Sequence, residues 1–114
     1  MDHDGLEQLV ELDGERFFVS EDGRYWVKFD IHEVAASPAR PTGLAYSLTL
    51  HGPNDERLVG FDNAHPVPPN RLGQPRDHTH IGDRVRIYCY TNARELLTDF
   101  WSAVYSMLQK RGIE

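Results

Sequence analysis

Apolar and polar residues alternate with a period of two through Tyr25–Val34, where Tyr25, Val27, Phe29 and Ile31 interleave with Trp26, Lys28, Asp30 and His32. That period puts successive side chains on opposite faces of an extended chain, so the segment reads as a half-buried strand. Leu44, Tyr46, Leu48 and Leu50 repeat the pattern against Ala45, Ser47, Thr49 and His51. Gly52-Pro53-Asn54-Asp55 then turns the chain into a further strand, Arg57–Asp62. Val85, Ile87 and Cys89 alternate with Arg86, Tyr88 and Tyr90 in the last strand. Near the start, Leu6–Leu12 is weakly apolar and ends at the turn signal Asp13-Gly14 before Phe17-Phe18-Val19, which reads as a hairpin. Short connections between successive strands make a meander the economical topology.

The period changes after Asn92. Ala93, Leu96, Leu97, Phe100, Trp101, Val104, Tyr105 and Leu108 recur at spacings of three and four, the stripe of an amphipathic helix over residues 92–111. Asn92 with Glu95 three positions on suits its N-terminus, and Lys110-Arg111-Gly112 its C-terminus. The aromatic residues of the stripe belong to a core rather than to a cofactor pocket, because helical spacing alone accounts for them. The predicted fold is therefore α+β: one domain over residues 1–114, an antiparallel β-meander of five to six strands packed on one C-terminal amphipathic helix.

Between the strands, residues 64–76 carry Pro66, Pro68, Pro69, Pro75 and Gly73, so no regular element is expected. Connections usually run to about 4–6 residues, and those beyond about 12 tend to be functional, which makes this Pro-rich loop a candidate flap. One helix covers only one face of a sheet. The other face is expected to carry Trp26, Lys28, Asp30, His32, Ser47, Thr49, His51, Arg86, Tyr88 and Tyr90, a polar and aromatic surface of the kind that stacks single-stranded bases or seats a second subunit as a homodimer.

At 114 residues, with 39% hydrophobic and 26% charged positions, the chain has enough apolar surface for one core and enough charge to stay in solution. No apolar run approaches the ~20 residues of a membrane span and Met1-Asp2-His3-Asp4 lacks the order of a signal peptide, from which a cytoplasmic location is expected, with no membrane partner. The single cysteine, Cys89, falls in a strand pattern and reads as a buried thiol. A net charge of −6 counts against binding nucleic acid through bulk electrostatics. The sign is uneven, however: residues 1–57 hold 5 Lys/Arg against 12 Asp/Glu, and residues 58–114 hold 7 against 6. Arg71, Arg76, Arg84, Arg86 and Arg94 fall within the second half and can meet phosphates, while the acidic first half suits a basic protein partner.

Two clusters there carry chemistry. Gly60-Phe61-Asp62-Asn63, with His65 just beyond, precedes the Pro-rich loop, and Asp77-His78-Thr79-His80-Ile81-Gly82 follows it. If the two segments pair, the loop folds back and brings Asp62 and Asn63 to His78 and His80. In an extended strand His78 and His80 project side by side, while Asp77 and Thr79 face elsewhere. Two imidazoles beside a carboxylate support two reactions. In the first, His78 and His80 act as acid and base in cleaving RNA through its own 2′-hydroxyl, Asp62 orients one ring, and Asn63 with Arg84 or Arg86 steadies the phosphate; no cofactor is required. In the second, His78, His80 and Asp62 or His65 hold a divalent metal ion that activates water, as in a metal-dependent phosphodiesterase. A third reading is non-catalytic: a binding module gripping RNA or a protein through Arg86 and Tyr88, with incidental histidines.

The linked series Leu58-Val59-Gly60-Phe61-Asp62-Asn63, Asp77-His78-Thr79-His80-Ile81 and Leu96-Leu97-Thr98-Asp99-Phe100-Trp101 resembles the TumE-like toxin family of bacterial and archaeal toxin–antitoxin modules over residues 43–105. The resemblance implies a small toxin neutralised by a cognate antitoxin, often a helix-turn-helix protein encoded beside it. It extends to Asp62, Asn63, Asp77, His78 and His80, not to His65, and the long Pro-rich loop departs from typical members. An endoribonuclease reading, with RNA as substrate, comes from the histidines and not from the resemblance.

Overall fold

The computed structural model describes residues 5–63 and 77–113. Six strands, β1 (Arg16–Phe18), β2 (Trp26–Glu33), β3 (Leu44–His51), β4 (Arg57–Asp62), β5 (His78–Ile81) and β6 (Arg84–Ile87), pair antiparallel in chain order as one meander. Among the described residues the helices are α1 (Leu6–Glu11) and α2 (Ala93–Lys110). The Pro-rich segment 64–76, and His65, Arg71 and Arg76 with it, lies outside the described residues.

Alternation dictates the two faces. Val27, Phe29 and Ile31 of β2, Tyr46, Leu48 and Leu50 of β3, and Val59 and Phe61 of β4 are buried on one of them. There they meet Ala93, Leu96, Phe100, Val104 and Leu108 of α2. Phe100 lies at the centre, edge-on to Phe29 at 5.6 Å and to Phe61 at 5.9 Å between ring centroids. Asn92 caps the helix, its Oδ1 accepting from the Glu95 amide at 2.9 Å. Tyr105 falls outside the buried stripe with 62% of its surface exposed, and stacks on Trp101 at the helix flank.

Three expectations change. Leu6–Glu11 is a helical turn and a half, not a hairpin arm: Leu6, Leu9 and Val10 are spaced for a helix, and Leu9 is fully buried. Gly5, at φ +90°, opens it where the chain passes so close to α2 that a Cβ would lie 2.8 Å from the Arg94 backbone nitrogen. Second, two strands follow the Pro-rich segment, not one, because Gly82 at φ +58° makes a tight β5–β6 turn. Third, Cys89 is exposed, since β6 ends at Ile87 and the alternation beyond it is no longer that of a paired strand.

Candidate active site on the uncovered sheet face

β4 and β5 pair with Asp62 opposite His78 and Gly60 opposite His80. Directly opposed residues share a face, and Phe61 faces α2, so Asp62, His78 and His80 all project from the face that α2 leaves uncovered. Their heteroatoms converge. His78 Nε2 stands 3.4 Å from Asp62 Oδ1 and 3.0 Å from His80 Nε2, with the two rings edge-to-face. One donor atom from each of the three residues lies within 4.8 Å of the others. Asp62 and His78 are buried, His78 with 1% of its surface exposed, while His80 keeps an accessible side.

A fourth group, Arg57, belongs to this site and was not identified from the sequence. A β-bulge places two steps of β4, from Val59 to Arg57, against one step of β3, from Leu50 to His51. The extra residue turns Arg57 to the uncovered face. Its side chain lies over Gly60, where a Cβ would come within 3.2 Å of Arg57 Cδ and 3.7 Å of His80 Cβ. The glycine leaves room for a guanidinium beside His80. The effect is electrostatic as well as steric: burial first, then Arg57 and His78, push the His80 pKa below its ordinary value, against the opposing pull of Asp62. A glycine inside a strand marks such a close approach and was the one available signal.

Asn63 and Asp77 lie elsewhere. Asn63 is buried: Nδ2 donates to Leu44 O at 2.7 Å, Oδ1 accepts from the Tyr46 amide at 2.9 Å, and the side chain also hydrogen-bonds the Asp77 carboxylate. The two bonds to backbone close the β3–β4 ladder where it ends. Asp77 accepts from the Tyr46 hydroxyl at 2.7 Å on the helix side of the sheet, and its backbone oxygen accepts from the Tyr88 amide. Burial raises the Asp77 pKa, and the hydrogen bond from Tyr46 is the largest influence opposing that rise. The hydroxyl of Tyr46 is in turn held protonated, chiefly by burial and then by the Asp77 charge. Asp77 thus pins the start of β5 from behind and fixes where His78 and His80 emerge. Tyr46→Phe removes one of the donors to the buried Asp77 carboxylate, Asn63 supplying another, and should cost about 1–3 kcal/mol in urea denaturation.

The arginines and tyrosines expected on the uncovered face also move. Arg86 is opposite Thr79, which is opposite Phe61, so Arg86 projects on the helix side, as does Arg84 opposite Ile81. Tyr88 packs edge-on to Phe61 and donates to Asp99 Oδ2 at 2.7 Å, and Tyr90 leans on Tyr46. The residues that face outward beside the histidines are Val85, opposite His80, and Ile87, opposite His78. The β2 and β3 sets do share one surface as expected. On it Trp26 stacks on His51 at 4.2 Å, Arg16 lies over the Trp26 ring, and Lys28 pairs with Asp30.

A six-stranded meander backed by one long helix, with a His/Asp cluster and an arginine on the face away from that helix, defines a small α+β protein with a polar site on its sheet. The family model described as Toxin TumE matches residues 6–108, and the chain belongs to that toxin family. It is thereby a toxin of a toxin–antitoxin module, with a cognate antitoxin as its partner. No curated protein and no solved structure matches the chain. Among the described residues no helix is long and apolar enough to cross a membrane.

Proposed function

We propose that this toxin is an endoribonuclease that breaks RNA phosphodiester bonds at Asp62, His78 and His80. The observation that carries the reading is the convergence of those three side chains beside Arg57 on the sheet face opposite α2, with His80 accessible. RNA holds its own nucleophile, so cleavage needs only proton removal from a 2′-hydroxyl, protonation of the leaving oxygen and charge stabilisation at the phosphate. Of the two imidazoles, His80 is the one that substrate can touch. His78 and Asp62 stand behind it as positioning residues, which revises an acid–base pair of equals. Arg57 takes over the phosphate-holding part first given to Asn63, Arg84 and Arg86. The non-catalytic alternative loses support for the same geometric reason, because Arg86 and Tyr88 lie across the sheet from the histidines and Tyr88 is tied to Asp99.

Induced expression should arrest growth with fragmented cellular RNA, and the purified protein should cut RNA directly. Growth arrest with RNA intact throughout would refute the proposal. Arg57→Ala should raise KM more than it lowers kcat, and reduce the slope of log affinity against log salt by about 1, the signature of one lost phosphate contact.

A further inference from the structure

The cluster poses a problem of proton placement. Among its three converging atoms, His78 Nε2 faces both Asp62 Oδ1 and His80 Nε2. With both imidazoles neutral, a hydrogen on His80 Nε2 can be given to His78, but the carboxylate oxygen then meets the same bare nitrogen. A hydrogen on His78 Nε2 is instead split between two acceptors, at 3.0 and 3.4 Å. A cation accepts all three lone pairs at once.

We infer that Asp62, His78 and His80 form the binding site for one divalent ion of the zinc class. Two of the three separations fit. Donors about 2.0–2.1 Å from a tetrahedral zinc stand roughly 3.3 Å apart, close to the two distances around His78 Nε2, while Asp62 and His80, whose donor atoms lie within 4.8 Å, draw together when both bind one ion. Two imidazole nitrogens and one carboxylate oxygen form the donor set of a catalytic zinc centre with three protein ligands, which keeps its fourth position for water or substrate. Rigidity favours the site too, because both histidines stand on one strand whose start Asp77 and Tyr46 anchor from the opposite face.

Arg57 weakens affinity for the cation by repulsion and at the same time explains the assembly. An ion of charge two beside one carboxylate and one guanidinium leaves a net positive site, which suits a phosphodiester anion. The bound ion supplies a Lewis acid and a water ionised near neutral pH. With the ion held by His80 Nε2, that nitrogen is no longer a proton acceptor and the ionised water would take the 2′-hydroxyl proton in its place; this part rests on the function proposed above, and the binding does not.

The test uses untagged full-length protein stripped with chelator and titrated with zinc chloride by calorimetry, and with cobalt(II) by visible absorption. We expect one equivalent bound tighter than about 1 µM, cobalt bands of a low-coordinate N/O site, and affinity lowered more than about 10-fold in Asp62→Asn and in His80→Ala. His80 is partly exposed, so its variant remains folded, which circular dichroism verifies. Absence of stoichiometric binding overturns the ion site, as does wild-type affinity in both variants. RNA cleavage is assayed on the same samples. Binding without cleavage keeps the ion and refutes the ribonuclease, whereas full cleavage by protein that binds no ion keeps the ribonuclease and refutes the ion.

Discussion

His80→Ala should lower kcat/KM for RNA cleavage by about 10²–10⁴-fold and abolish growth arrest, while changing folding stability by no more than about 1 kcal/mol. The small cost follows from position. His80 sits opposite Gly60 on the face away from α2, keeps solvent access, and meets His78 edge-to-face. The large effect follows from the same position, because His80 is the accessible member of the cluster and lies next to Arg57. His78→Ala should impair cleavage as strongly but also destabilise the protein, since it empties a buried site and leaves the Asp62 carboxylate without its imidazole at 3.4 Å. Comparing urea midpoints with single-turnover cleavage rates separates the two. Cleavage by folded His80→Ala at the wild-type rate would remove the cluster from the chemistry altogether.

Phe100→Ala should cost about 3–5 kcal/mol, a large share of the roughly 5–15 kcal/mol that holds a domain of this size together. Phe100 is fully buried and touches the two aromatic residues that tie the sheet to the helix, Phe29 on β2 and Phe61 on β4. Trp101 borders the same cluster, its ring 6.1 Å from Phe29 and 5.6 Å from Phe100, and stacks on the exposed Tyr105 at the flank of the helix. Thermal melting should show a much reduced midpoint. A substitution at Tyr105, on the exposed flank of the same helix, should leave that midpoint nearly unchanged.

The two clusters divide their work across the thickness of the sheet. Asp62 and Asn63 are neighbours in the chain, as are Asp77 and His78, so each pair sends one side chain to either face. Asn63 and Asp77, with Tyr46, satisfy buried backbone and hydroxyl groups on the side of α2. Asp62 and His78, with His80, face outward. A change at Asn63 or Asp77 therefore reaches the site through the positions of β4 and β5, and its effect on cleavage should come with a loss of stability.

Local periodicity by itself determined most of the fold. Residues at every second position must share a face of a strand, and residues three or four apart must share a face of a helix, so β2, β3, β4 and α2 were legible from side-chain chemistry alone. The pairing of Asp62 with His78 followed from supposing that β4 and β5 are neighbours. Short elements were not legible: α1 has too few residues for its period to stand out, and β5 and β6 hinge on one glycine turn. Nor could alternation settle faces beyond a single strand. Arg86 and Tyr88 were assigned to the wrong side because only the β4–β5–β6 register relates them to Phe61. Arg57 reached the histidines through a bulge that sequence spacing does not show. Which side chains share a strand face is a property of the covalent chain, but which strands' faces coincide depends on hydrogen-bond register between distant segments, and only the folded sheet fixes that.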